Sequence, residues 1–370
     1  MTNRLNWLDN LRSITILLVV LYHVGGVYEA AGLWASFWIV DDPSTITWVG
    51  IVGILFDIMV MPIMFFIAGY LVTLSLENKT SWEFINGKFK RLMVPWLIAV
   101  VTLIPIYKVI FLYSRGLPQQ PWNTYFHITN PNSQNWLWFL PVLFAFNLLY
   151  LLVSKTKIKF QNVSLGWTIT GMFVIGFAYS FFIGGIAGFR SWTLTPVIDF
   201  ENERLLIYFL MFLLGAQVFQ KGILKEKSQT NKLYNTVNAI TWIPITVHIF
   251  TRIVPFIYPE GFSVTPMYRF VWWISFDVSL LCMMYVMIQS FRRYLDRTGT
   301  IWIVLNRNSY GVYIIHVIII GVFGTLLLNF NIPAAVKYLL LFLLTYLVSN
   351  VVVTIYRSLV QTIKIQGGKS

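Results

Sequence analysis

The sequence predicts an all-α, polytopic integral membrane protein of about ten transmembrane helices, and three observations carry that prediction. First, the 370 residues are 57% hydrophobic and only 11% charged, with a mean hydropathy of +0.70. A soluble chain of this length needs about twice that share of charge to clothe its surface. Second, apolar runs long enough to cross a bilayer, about 18 residues or more, recur along the whole chain. Third, the basic residues gather in alternate connecting segments, as the positive-inside rule requires. A transmembrane β-barrel is excluded because it alternates apolar and polar residues over short segments, which this chain does not do.

Taken in order, the spans fall at 11–30, 48–76, 92–112, 137–154, 164–187, 204–220, 236–255, 267–290, 308–329 and 334–356. With the N-terminus in the cytoplasm, the inner segments are both tails, 77–91, 155–163, 221–235 and 291–307. Counting Arg12 at the inner boundary, they hold 20 of the 27 lysines and arginines. These include Lys155, Lys157, Lys159, Lys221, Lys225, Lys227, Lys232, Arg292, Arg293, Arg297 and Arg307. An even number of spans places both termini in the cytoplasm. The net charge of +13 is therefore a statement about topology and not about nucleic acid. The first span has the basic start and small residues of a secretory signal, but Arg12 and His23 interrupt it and the charge pattern needs it retained. No linker or soluble domain interrupts the spans, so residues 1–370 read as one membrane domain whose chemistry lies among its helices. The longest outer segment, 113–136, is rich in proline and aromatic residues.

The stretch "LDNLRSITILLVVLYHVGG" poses the first chemical question. At ~100° per residue, Arg12 and His23 lie within about 20° of one another on the helix surface, and about 16 Å apart along it. Asp9 shares the side of Arg12 and can pair with it. A titratable group such as His23, near mid-membrane on this reading, is costly unless it faces protein or an aqueous cavity. A snorkelling Arg12 and a merely structural His23 are the plain alternative. Three further ionisable residues fall inside spans: Asp57, Asp277 and His316. Any of them could orient the His23 ring and raise its basicity, and Asp57 is a candidate across the helix interface. Together they suggest a buried polar reaction chamber. Lys88, Lys90 and Arg91 precede the third span, which suits a polyanion at a helix N-terminus as well as it suits ordinary inner-face charge. Trp34, Trp38, Trp122, Tyr125, Phe126, Trp136 and Trp138 crowd the first two outer segments, where aromatic belts are the ordinary explanation and sugar stacking the functional one. No metal is expected, since no paired-carboxylate or His/Cys spacing is present. The lone Cys282 excludes a disulfide framework.

These residues, in this order, resemble the acyltransferase family 3 membrane O-acyltransferases of bacteria. The matching pieces are "LDNLRSITILLVVLYH", "MFFIAGYL", "KFKRLMVPW", "LWFLPVLF", "FLLGAQVF" and "NSYGVYIIHVI". Within the family, "LDNLR", "MPIMFFIAGYL" and "LWFL" look closest to the glucan succinyltransferase type, glucan biosynthesis protein C. The resemblance implies a multi-pass protein of the bacterial inner membrane. It would take an acetyl or succinyl group from cytoplasmic acyl-coenzyme A, used as substrate with no permanently bound cofactor. The acceptor would be a hydroxyl on an extracytoplasmic glycan or glycolipid. On that resemblance His23 is the catalytic histidine, Arg12 its essential partner, and Asp57 and His316 supporting catalytic candidates. Arg12, Lys88, Lys90 and Arg91 are candidates for the donor, and Trp136, Trp138 and Tyr310 for the acceptor. The family's Arg-x-x-Arg is Lys-x-x-Arg here, which removes a planar fork at Lys88. Its Ser-Gly is Ala68-Gly69, so no hydroxyl acts there. The competing readings are a transporter or flippase for a glycan or lipid, coupled through buried Asp and His residues, and a non-catalytic scaffold.

Overall fold

The computed structural model describes residues 5–30, 37–77, 79–126, 134–155, 163–224 and 231–367. Trp34, Lys157, Lys159, Lys225 and Lys227, used above for topology or as aromatic candidates, lie outside the described residues. Among the described residues, nine helices are long and apolar enough to cross a membrane, and Leu205–Gln220 is a shorter apolar helix. Every expected span has a helix, which agrees with an all-α polytopic protein.

Side-chain caps at Thr80, Ser164 and Thr265 open three of the helices. α1 (Asn6–Tyr28) carries Asp9 in its first turn. α2 (Thr47–Leu76) is followed by α3 (Ser81–Lys88), which opens on a reciprocal capping box between Thr80 and Glu83. A π turn, Phe89–Met93, joins α3 to α4 (Val94–Ser114) without a break. α5 (Phe139–Ser154) grows out of a 3₁₀ turn, Asn135–Trp138. Ser164 caps α6 (Leu165–Ile186). A two-stranded antiparallel hairpin, β1 (Trp192–Thr193) with β2 (Phe200–Glu201), leads to α7 (Leu205–Gln220). The expected seventh span is two pieces, α8 (Asn231–Ile240) and α9 (Trp242–Ile257). Thr265, with Pro266 at the first helical position, opens α10 (Pro266–Tyr294). α11 (Thr300–Leu328) and α12 (Ala334–Gly367) follow. With 16 residues, α7 rises about 24 Å, short of the ~30 Å hydrocarbon layer, so the chain on either side must complete the crossing.

Packing divides the chain into two compact units. The first comprises Met1–Gly53, Thr102–Tyr125 and Asp296–Ser370, and in it α1, α11 and α12 pack on one another. The second comprises Ile54–Val101 and Phe126–Leu295, with α10 packed against α6, α8 and α9, and α7 against α5 and α6.

In the second unit two of the motif segments meet. A Cβ on Gly69 of "MFFIAGYL" would overlap the Phe212 carbonyl, and one on Gly215 of "FLLGAQVF" would overlap the Phe66 carbonyl. The two glycines let the α2 and α7 backbones touch, the small-residue packing that membrane helices use where no hydrophobic force drives them together. Gly69→Ala is therefore expected to destabilise the protein by about 1–3 kcal/mol or more, because backbone and not a mobile side chain must give way. Gly166→Ala, where an added Cβ meets nothing within 4 Å, should have no such cost. Thermal midpoints in detergent compare the two.

Candidate active site

In the first unit a polar ladder runs between α1 and α11. Asn10 Nδ2 donates to the Arg297 carbonyl (2.9 Å), and Asn306 Nδ2 donates to Asn10 Oδ1 (2.8 Å). Ser13 Oγ donates to Asn306 Oδ1 (2.5 Å). Arg12 Nη2 donates to the Asn306 carbonyl (3.1 Å) and pairs with Asp9 Oδ1 (3.2 Å), as the i, i+3 spacing suggested. Further along, His23 Nδ1 lies 2.8 Å from His316 Nε2. The sequence separation across the ladder stays between 287 and 296, so the two helices run parallel.

His316 is the neighbour the structure gives His23. It is fully buried, and its Nδ1 lies 2.7 Å from the Tyr313 carbonyl and 3.2 Å from that of Val312. Carbonyls only accept, so His316 Nδ1 carries a hydrogen. With both rings neutral, His316 Nε2 is then an acceptor and the hydrogen between the rings belongs to His23 Nδ1. That leaves the lone pair of His23 on Nε2. The carbonyl–imidazole–imidazole chain thus fixes the tautomer of His23, the task a carboxylate performs in the familiar catalytic dyads. The Trp38 indole stacks on the His23 ring, with centroids 5.1 Å apart and planes 22° apart.

The position of His23 along its helix differs from the expected one. α1 starts earlier and ends earlier than the hydropathy window, so His23 stands five residues, about 8 Å, from its C-terminal end and not near mid-span. Tyr310 follows Asn306 by four residues, at the Arg12 end of the ladder, which is the inner end in the charge-derived orientation. It therefore stands away from the side on which an extracytoplasmic acceptor would enter.

Asp57 is engaged elsewhere, in the second unit. Arg204 grips it with two bonds, Nη1 to Oδ1 at 2.9 Å and Nη2 to Oδ2 at 2.8 Å, and Arg252 Nη1 lies 3.7 Å from Oδ2. Arg204 Nε also faces Glu201 Oε2 at 3.4 Å, and Glu201 Oε1 faces Arg190 at 3.5 Å. Asp57 thus belongs to a buried ion network. His23 and His316 share the first unit, while Asp57 and Asp277 belong to the second. Asp277 Oδ2 is buried without a hydrogen-bond partner, beside a cleft lined by Met172, Ile207 and Met211 among other apolar side chains.

The network ends at the loop before α7. Glu203 is fully buried and receives the Arg190 backbone N–H, and the Trp273 indole donates to it at 3.2 Å. Arg204, Arg252 and Arg190 were not singled out from the sequence. Their signal was present, since each is a cation outside the inner segments, where positive charge is rare without a partner.

Of the donor candidates, Lys88 closes α3 and is half-buried, with its ammonium over the Phe84 ring, whereas Lys90 and Arg91 are exposed. Lys90 and Arg91 lie in the π turn, a form often found at functional positions. Among the acceptor candidates Trp136 is buried. Trp138 is half-exposed, stacks on Tyr208 and meets Trp192 edge-on.

A family model described as an acyltransferase domain matches residues 5–354. No curated protein matches the chain.

Proposed function

Because the chain belongs to acyltransferase family 3, we propose that this membrane acyltransferase takes an acetyl or succinyl group from cytoplasmic acyl-coenzyme A and places it on a hydroxyl of an extracytoplasmic glycan or glycolipid. Family membership removes the transporter and scaffold readings. The proposed setting is a bacterial inner membrane, with both termini cytoplasmic.

The observation that supports this reading most is His23, a histidine whose Nδ1 is tied to His316 and whose Nε2 carries the lone pair. In the reaction proposed, Nε2 takes the proton of the acceptor hydroxyl as its oxygen attacks the thioester carbonyl. The carbon–sulfur bond breaks, and the departing thiolate recovers the proton from His23. His316 holds the ring and stabilises the imidazolium while it lasts. Arg12, about 16 Å further along the same helix, serves the donor's phosphates.

The test is transfer of label from acetyl- or succinyl-coenzyme A in membranes, with protein levels matched. Arg12→Ala should lower kcat/KM for the donor by about 10–100-fold, the loss expected for one hydrogen bond to a charged group. Arg12→Lys should recover only part, because an ammonium lacks the planar fork. Unchanged donor use by Arg12→Ala would show that Arg12 only pairs with Asp9 and anchors α1 to Asn306.

A further inference from the structure

We propose that Trp38 is a positioning residue that covers one face of the half-buried His23 ring and limits the approach of water there, so that the acyl group goes to the acceptor and not to hydrolysis; this rests on the donor reading above. The segment that follows α1 turns back on the helix it has just left. It places the indole of Trp38 against an imidazole fifteen residues earlier in the chain, and Trp38 is only 1% exposed.

Residues 37–45 have no helix or strand to satisfy their backbone, yet three consecutive carbonyls are taken one after another. Tyr107 donates to the Phe37 carbonyl. Arg115 Nη2 donates to that of Trp38 at 2.9 Å, and Ser114 Oγ to that of Ile39 at 3.3 Å. These three donors all come from the outer end of α4 or the residue after it. Side-chain donors aimed at three consecutive carbonyls hold a buried irregular strand in one conformation.

Two further features fix the strap. Ile39 fills the space beside Gly321 of α11, where an added Cβ would collide with it. Asp42, fully buried with Lys337 of α12, closes the far end through a 2.9 Å ion pair. A buried pair of this kind is weak evidence for stability, but it fixes a conformation, because either partner alone is costly. The strap is thus tied to α4, α11 and α12, and the buried ring of Trp38 lies on His23.

An enzyme that exposes an activated thioester beside a general base must keep water out. Without the indole, water takes the place of the acceptor hydroxyl. Its oxygen bonds to the thioester carbonyl carbon, the carbon–sulfur bond breaks, and free acid and coenzyme A thiol leave. The ring that His23 stacks on is lost at the same time, so its orientation loosens.

The experiment uses the full chain in detergent, as wild type, Trp38→Phe, Trp38→Leu and Trp38→Ala. The Phe variant keeps a flat ring, and Leu keeps bulk without one, which covers the case in which Ala does not fold. Two rates are read: carbethoxylation of His23 by diethyl pyrocarbonate, followed by mass spectrometry, and thiol release from acetyl- or succinyl-coenzyme A with no acceptor added. Both should rise about tenfold in Trp38→Leu, the effect of lowering one barrier by 1.4 kcal/mol, and stay near wild type in Trp38→Phe. Adding His23→Gln to Trp38→Leu should return thiol release to background. Equal carbethoxylation of His23 in wild type and Trp38→Leu would overturn the proposal. If wild-type membranes use neither donor, the donor reading falls instead, and the carbethoxylation rates still decide whether Trp38 covers His23.

Discussion

His23→Gln is expected to lower acyl transfer by about 10²–10⁴-fold, the range over which a positioned general base contributes. Glutamine keeps a polar side chain of similar reach and can still bond to His316, but it offers no nitrogen lone pair able to take a proton. His23→Ala should fall equally far, since what is lost in both is the chemistry at Nε2. Both variants should insert, because a neutral residue is cheaper to bury than an ionisable one. His316→Leu should lose less, by ring misorientation and the wrong tautomer, and His316→Gln should recover part of that by again accepting from His23 Nδ1. Label transferred from acetyl- or succinyl-coenzyme A at matched protein levels reads all four. Near-normal transfer by His23→Gln would remove His23 from the reaction and leave His316 as the remaining base in the first unit.

Asp57→Ala should cost about 3–5 kcal/mol of stability, the ordinary consequence of leaving one member of a buried ion pair uncompensated. The Arg204 side chain is 2% exposed and would lose a two-toothed partner while still packed over the Phe276 ring. Replacing both partners, Asp57→Leu with Arg204→Met, should restore much of the loss, because two apolar side chains need no compensation and Arg190 remains beside Glu201. Thermal midpoints and detergent yields of the two singles and the double measure this. If Asp57→Ala folds with unchanged stability and yet loses transfer, Asp57 is catalytic after all, and its grip by Arg204 is the lesser part of its role.

How much of this was legible in the sequence follows from which forces act locally. A bilayer demands about twenty apolar residues per crossing and sorts lysine and arginine by side, so the spans could be located to within a few residues. The π turn at Phe89–Met93 and the break between α8 and α9 leave no mark in hydropathy, which averages over such detail, whereas the shortness of α7 was already visible in the span 204–220. The Arg12–Asp9 pair was readable because three residues on one helix are neighbours whatever surrounds them. The partner of Asp57 was not, because hydropathy says which residues need partners and not which helices adjoin. Arg204 was already visible as a cation in the wrong place for the positive-inside rule. Gly69 was read through the hydroxyl its neighbour Ala68 lacks, whereas its own missing Cβ is what the contact with Phe212 uses.

The ladder between α1 and α11 also bears on the order in which the protein is made. A ribosome delivers the chain from its N-terminus, and domains generally fold as their residues emerge. The imidazole that fixes the tautomer of His23 lies 293 residues later in the chain. The segments of the second unit, which end at Leu295, are all complete before His316 is synthesised. Until then α1 must wait in the membrane with Arg12, Ser13 and His23 lacking their eventual partners from α11, a polar helix held in reserve for one made much later. The reactive pair is therefore assembled late in biogenesis, and a nascent chain halted before α11 carries its catalytic histidine with nothing to aim it.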